Sequence, residues 1–260
     1  MTIPNGPRPQ PGAIALAGSG EYLDFMNTTD TYLLKTLGDI SNARVVLLPT
    51  ASGLEPNGPD YWNELGIIHF KKLGVKDIRA TRIIDRASAA DPNQLDLLRD
   101  ADLYYLSGGN PQHTIDTLRN SPALEIIKAA YEQGAVLAGC SAGAMALSGY
   151  TLALRQMLAG EKAGWTESLG IVPRIVVFPH FDRMASFIDQ VVFQELLYTL
   201  PPDCIALGID ENTALVRIEA NGTTGNGSSS RWQVMGQQTV KVFEKGMAPR
   251  TLQVGEEVLV

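Results

Sequence analysis

The residues best suited to chemistry are Gly139-Cys140-Ser141-Ala142-Gly143, a G-x-S-x-G pentapeptide between an apolar run and a short helical pattern. A nucleophilic serine must be lifted clear of a sheet on a sharp strand-to-helix turn. Small flanking residues permit that turn and let a carbonyl substrate approach the backbone. The helix starting at Ala142 would aim free N–H groups and its dipole at a developing oxyanion. The same pentapeptide also suits a glycine-rich turn that merely packs tightly. Cys140 is a rival nucleophile, but the frame favours its neighbour. Glycines stand two residues either side of Ser141, whereas Ala138 and Ala142 flank Cys140, which is expected to point into the core.

A serine nucleophile needs a base, and the chain has three histidines, His69, His113 and His180. His69 lies in an amphipathic helical pattern and reads as structural or solvated. His113 follows a Gly-Gly-Asn turn and could border the site, but the default reading is an ordinary polar loop histidine. His180 directly follows an apolar strand ending at Phe178-Pro179. That is the carboxyl end of a parallel strand, where open α/β sheets place their ligands, so His180 is the preferred base. The third group should be a carboxylate that orients the imidazole. Asp210 and Glu211 both close another apolar strand, and either could serve. A second glycine turn, Ser107-Gly108-Gly109-Asn110, could supply an oxyanion donor. Gly18-Ser19-Gly20 lacks the third glycine of a dinucleotide fingerprint and is weak evidence for one.

Positioning such groups requires a sheet. Apolar runs at 13–17, 44–48, 78–84, 103–106, 135–138 and 174–178 read as strands buried on both faces. Helical patterns at 22–37, 60–73, 93–100, 115–118, 123–132, 142–147 and 184–200 alternate with them. This alternation predicts an α/β fold, a mostly parallel sheet with helices on both faces. Runs at 204–209, 214–218, 231–235, 240–243 and 253–258 predict a C-terminal antiparallel β extension over 204–260. Residues 1–12, with four prolines, read as a loose leader before a single α/β hydrolytic domain over 13–260. The segment 221–230 reads as a loop.

Composition narrows the function classes. Of 260 residues, 45% are hydrophobic and 19% charged, which excludes a disordered chain. The 21 Lys and Arg stand against 28 Asp and Glu, a net charge of −7 without any basic run. Neither nucleic acid nor a membrane is therefore an expected partner. The uncharged stretch 133–154 is long enough to span a bilayer, but its Gly, Ser and Ala content predicts a buried strand and helix. Cys140 and Cys204 match no metal spacing and no disulfide scaffold, so the expectation is a cytoplasmic protein with reduced thiols.

Four segments together, LSGGN at 106–110, GCSAGA at 139–144, PHF at 179–181 and GIDENTAL at 208–215, resemble the cyanophycinase and aspartyl dipeptidase (peptidase E) family of serine peptidases. The match in order and spacing runs from about Ala13 to about Ile218. The resemblance implies a fold related to type-1 glutamine amidotransferases and a Ser–His–acid hydrolase without metal or organic cofactor. It implies Ser141 as nucleophile, His180 as general base and Glu211 as the third member, while the residues themselves leave Asp210 as the alternative acid. It places the oxyanion hole at the backbone N–H groups of Gly109 and Ala142, and substrate contacts at Asn110, Gln112 and Arg183. Cyanophycinases carry several arginines after the catalytic histidine; here HFDRMASFIDQ has only Arg183. A small peptide or related amide is therefore the expected substrate, with a homodimer left open. The rival expectations are a catalytically silent ligand-binding member of this fold, an ammonia-supplying subunit and a true cyanophycinase.

Overall fold

The computed structural model describes residues 10–153, 164–186, 188–219 and 230–260. The expected leader and the 221–230 loop fall almost entirely outside these residues. Among them, the strands form two sheets rather than one. The first contains β1 (Ile14–Ala17), β2 (Arg44–Leu48), β3 (Asp77–Ala80), β4 (Leu103–Leu106) and β5 (Val136–Cys140), with β10 (Thr213–Glu219), β11 (Arg231–Gly236) and β14 (Glu257–Leu259). Its order is β14-β11-β10-β1-β5-β4-β2-β3. The five early strands are mutually parallel, and β10, β11 and β14 extend the sheet outward from β1 through successive antiparallel pairings.

Helices cover both faces of that parallel core, as near-continuous apolar strands require. On one face Leu33 and Leu34 of α1 (Asn27–Thr36) and Phe70 of α2 (Gly58–Lys72) pack with Val45, Leu47 and Tyr105. On the other, Leu98 of α3 (Pro92–Leu98), Ile115 of α4 (Pro111–Leu118) and Ile127 of α5 (Pro122–Glu132) meet Val46, Tyr104 and Leu137. Prolines open α3, α4 and α5, where the missing N–H costs nothing, and Asp91, Asn110 and Ser121 cap them.

After α6 (Ala142–Leu147) the chain enters a second sheet. It comprises β6 (Ser148–Leu152), β7 (Trp165–Glu167), β8 (Val172–Phe178), β9 (Ile205–Ile209), β12 (Val240–Phe243) and β13 (Arg250–Leu252), in the order β13-β12-β9-β8-β6-β7. One of its faces shares the first sheet's core through Ile175, Val177, Leu207 and Val240. The other packs Val176 and Phe178 against Phe193 and Leu196 of α7 (Gln190–Tyr198).

Several boundaries differ from expectation. The run at 204–209 is β9, which is parallel to β8 because α7 serves as its crossover, and antiparallel only to β12. The C-terminal strands divide between the two sheets, and the run at 253–258 gives way to β13 and β14, one in each. The helix expected over 184–200 is a 3-10 segment (Phe181–Ser186) followed by α7, with Asp189 capping Val191 N. The strand expected over 78–84 ends at Ala80, where Thr81 Oγ1 turns back to donate to Leu47 O. No helix among the described residues is long and apolar enough to cross a membrane.

Candidate active site

Ser141 stands between β5 and α6 with φ 50° and ψ −111°, outside the regions an L-residue prefers. Such a conformation costs about 1–3 kcal/mol and persists only where its surroundings over-determine it. Here they do. Ser141 N donates to Ala17 O at 2.9 Å, and Met145 N returns a bond to Ser141 O at 3.0 Å. The flanking glycines let the turn close. A Cβ on Gly139 would meet the Gly143 backbone at 2.7 Å, and one on Gly143 would meet Leu106 O at 2.3 Å. The pentapeptide thus brings β4, β5 and α6 closer than any side chain allows.

His180 follows β8 and also has positive φ, 50°. Phe181 anchors the segment by lying over Gly208 of β9, where a Cβ would stand 2.4 Å from the ring. The ring also packs with Phe193 and Phe243. Glu211 lies in the turn where the chain leaves β9 for β10, passing from the second sheet to the first. Strand ends from both sheets therefore converge, and Ser141 Oγ lies 2.9 Å from His180 Nε2. On the far side of the ring, Nδ1 lies 3.1 Å from Glu211 Oε1. A carboxylate only accepts, so the tautomer that fits this arrangement has its proton on Nδ1 and its Nε2 lone pair toward the serine hydroxyl.

Glu211 is held from several sides. Its N–H donates to Asp182 Oδ1 at 2.9 Å, and its carbonyl accepts from Gln238 Nε2 at 3.0 Å and Thr213 Oγ1 at 3.1 Å. Its second carboxylate oxygen pairs with Arg183 at 2.8 Å. Asp210 has other partners. Buried, it accepts from Thr239 N and Thr239 Oγ1 and locks β9 to the start of β12.

The remaining expected residues fall into three groups. Ala142 opens α6, so its N–H has no intrahelical acceptor, and Gly109 lies in the glycine turn with φ 135°. That turn lies beside the nucleophile: a Cβ added to Gly108 would come into contact with Ser141 Cβ, at 3.4 Å. Asn110 caps α4 by accepting from His113 N, and Gln112 donates along the same helix to Asp116 at 2.8 Å. Arg183, expected as a substrate contact, is engaged with Glu211, although its side chain remains 64% exposed.

Cys140 is fully buried and donates to Glu21 Oε2 at 3.0 Å. Burial, reinforced by the Glu21 charge, pushes its thiol well above the ordinary range, opposite to what a thiolate nucleophile requires. His69 is paired in the core with Asp30 at 2.8 Å, and His113 contacts Ile84 O at 2.7 Å. Both are structural. Sequence reasoning missed Glu21, Asp182 and Gln238. Among the described residues no group of three or more His, Cys, Asp or Glu side chains is arranged to hold a metal ion.

The model for peptidase family S51 matches residues 14–224. Among curated proteins, the cyanophycinase of Trichormus variabilis is 27% identical over 218 residues, covering 78% of this chain and 64% of that protein. The cyanophycinase of Synechococcus elongatus is 29% identical over 193 residues, covering 70% and 55%. The chain thus spans less than two thirds of the length of these relatives. A crystal structure of a peptidase from an acI-B1 Actinobacterium is 33% identical with a TM-score of 0.81, covering 97% of this chain and 98% of that one. A putative peptidase E protein from Listeria monocytogenes EGD-e, 18% identical with a TM-score of 0.56, covers 94% and 100% and shares the fold.

Proposed function

The chain belongs to peptidase family S51, and we propose that it is a serine hydrolase cleaving a small peptide or related amide. The observation that carries this reading is the hydrogen-bonded chain from Ser141 through His180 to Glu211, at 2.9 and 3.1 Å. In the proposed reaction Ser141 Oγ attacks the scissile carbonyl carbon while its proton passes to His180 Nε2. The carbonyl oxygen becomes an oxyanion, which the N–H groups of Gly109 and Ala142 would receive. The C–N bond then breaks, the amine leaves with the proton from His180, and an acyl-enzyme remains on Ser141. Water adds to that ester by the same route in reverse, releasing the acid and restoring the serine. Glu211 holds the imidazole in the productive tautomer and stabilises the imidazolium at each stage.

The substrate side is read from charge. A guanidinium has five N–H donors, and that of Arg183 pairs with Glu211 on a side chain that is 64% exposed. Its other donors are suited to one carboxylate on the substrate. We therefore assign a short peptide with Asp or Glu near the scissile bond, and poor action on cyanophycin.

The test is hydrolysis of acidic, neutral and basic short peptides and of cyanophycin by wild type, Ser141→Ala and Arg183→Ala. Acidic peptides should lead for wild type, and Ser141→Ala should cleave none. Losing one charge-assisted contact should lower kcat/KM for acidic peptides about tenfold or more in Arg183→Ala, and leave neutral ones less affected. Rapid cyanophycin breakdown would move the protein to the activity for which its curated relatives are named.

A further inference from the structure

Glu21 is a buried acid that the proposed reaction does not use; only 8% of the residue is exposed. It lies in the loop after β1, and both of its carboxylate oxygens accept hydrogen bonds. Oε1 takes Gly108 N at 2.8 Å, and Oε2 takes Cys140 Sγ at 3.0 Å. Gly108 directly precedes Gly109, and Cys140 directly precedes Ser141. One side chain therefore ties the segment carrying an oxyanion donor to the segment carrying the nucleophile.

The loop holding Glu21 is itself fixed. Gly18 N donates to Thr213 O at 2.9 Å, and Ser19 Oγ accepts from Asn212 N at 3.2 Å, next to Glu211. Tyr22 adopts a left-handed φ of 63°, which seats its ring 4.9 Å from Tyr105 and 6.2 Å from Phe70. Glu21 is thus braced between the acid turn on one side and an aromatic cluster on the other. The glycine turn is held at its ends, by Ser107 N to Leu48 O at 3.3 Å and Asn110 N to Ala51 O at 2.8 Å, while Glu21 holds Gly108 between them, where two adjacent glycines have the greatest backbone freedom.

We infer that Glu21 is a positioning residue, which sets the Gly108-Gly109 turn against the Ser141 elbow so that the oxyanion donors face the nucleophile. The inference rests on the serine hydrolase reading above. It gives a role to the Gly18-Ser19-Gly20-Glu21 segment, whose glycines permit the loop to run beside Asp210 and Asn212. A Cβ on Gly18 would lie 2.2 Å from Asp210 O, and one on Gly20 2.5 Å from Asn212 Oδ1.

The experiment measures labelling by a fluorophosphonate probe, separating the maximal rate kinact from the half-saturating concentration KI. Variants are Glu21→Ala, Glu21→Asp and Glu21→Gln, each with a thermal melt. A misplaced oxyanion donor slows chemistry more than binding. Glu21→Ala should therefore lower kinact about 10- to 100-fold with KI nearly unchanged. Glu21→Gln keeps a carbonyl for Gly108 N and an amide facing Cys140 Sγ, and should recover most of that loss. Glu21→Asp withdraws both oxygens by one methylene and should fall between; it carries the comparison if Glu21→Ala does not fold. Wild-type kinact in a folded Glu21→Ala or Glu21→Asp would overturn the inference, as would a loss that Glu21→Gln leaves unrepaired at wild-type Tm. Wild type that fails to label, or labels independently of Ser141, would instead defeat the hydrolase reading and this inference with it.

Discussion

Replacing Glu211 with Gln removes a charge while keeping nearly the same shape, so its effect reports the electrostatic part of the proposed triad. Charges about 4 Å apart at an effective dielectric of about 20 interact by about 4 kcal/mol. If that full amount stabilised the imidazolium in the transition state, its loss would slow kcat by about three orders of magnitude. Solvent reduces it, because the His180 and Glu211 side chains are 36% and 18% exposed. An opposing effect comes from Arg183, which sits on the other carboxylate oxygen at 2.8 Å. A glutamine has one carbonyl oxygen, and if Arg183 takes it the amide N–H₂ faces His180 Nδ1. The ring must then offer a lone pair there and carry its proton on Nε2, the wrong tautomer for a base. Glu211→Gln is expected to lose about two to four orders of magnitude in kcat. Adding Arg183→Ala should restore part of this, because the amide is then free to flip. Asp210→Asn should lower Tm more than kcat, since its bonds go to Thr239. The assay is steady-state hydrolysis of a cleaved peptide by all four proteins, with melts in parallel. Near-wild-type kcat in Glu211→Gln, with a large loss in Asp210→Asn, would refute the assignment of the acid.

Two further expectations concern stability. Burial raises the pKa of Cys140, Tyr22 and Tyr105, so each binds its proton more tightly in the folded chain than in the unfolded one. Their contribution is complete below the unfolded pKa values and declines as pH rises, from about 8.5 for the thiol and about 10 for the phenols. Denaturant titrations from pH 7 to 11 should show that decline, and Cys140→Ser should reduce its first part, to which Cys204, a second thiol raised by burial, also contributes; a flat profile in wild type would contradict the burial argument. Gly143→Ala should cost about 1–3 kcal/mol of stability, because its Cβ would meet Leu106 O at 2.3 Å. An unchanged Tm would show that the elbow is not tightly packed.

The parallel core was legible because its strands are apolar on both faces; 44–48 and 103–106 coincide with β2 and β4 to the residue. The division into two sheets was not, although 240–243 coincides with β12 and 174–178 and 204–209 fall on β8 and β9. In the second sheet β6 follows α6 directly through Ser148-Gly149-Tyr150, a run with neither strong alternation nor a turn before it. Nor does local pattern reveal which sheet a strand joins: β9 and β10 are three residues apart yet pair with different sheets. The triad candidates could be read because each stands at a strand end within a distinctive short motif. Glu21 could not. Its partners are 87 and 119 residues away, and the only local sign was a glycine pattern too short to be a dinucleotide site. The resemblance implies that Arg183 faces substrate, whereas its pairing with Glu211 depends on the turn after His180, which sequence spacing does not fix.

The claim that Ser141 is the nucleophile is tested most directly by intact and peptide mass analysis after reaction with a fluorophosphonate. Attack by Ser141 Oγ forms an O–P bond and expels fluoride, so wild type should gain one phosphonyl adduct. That adduct should map to the peptide containing Ser141, and it should be absent from Ser141→Ala while persisting in Cys140→Ser. An adduct that maps elsewhere, or that survives in Ser141→Ala, would contradict the account.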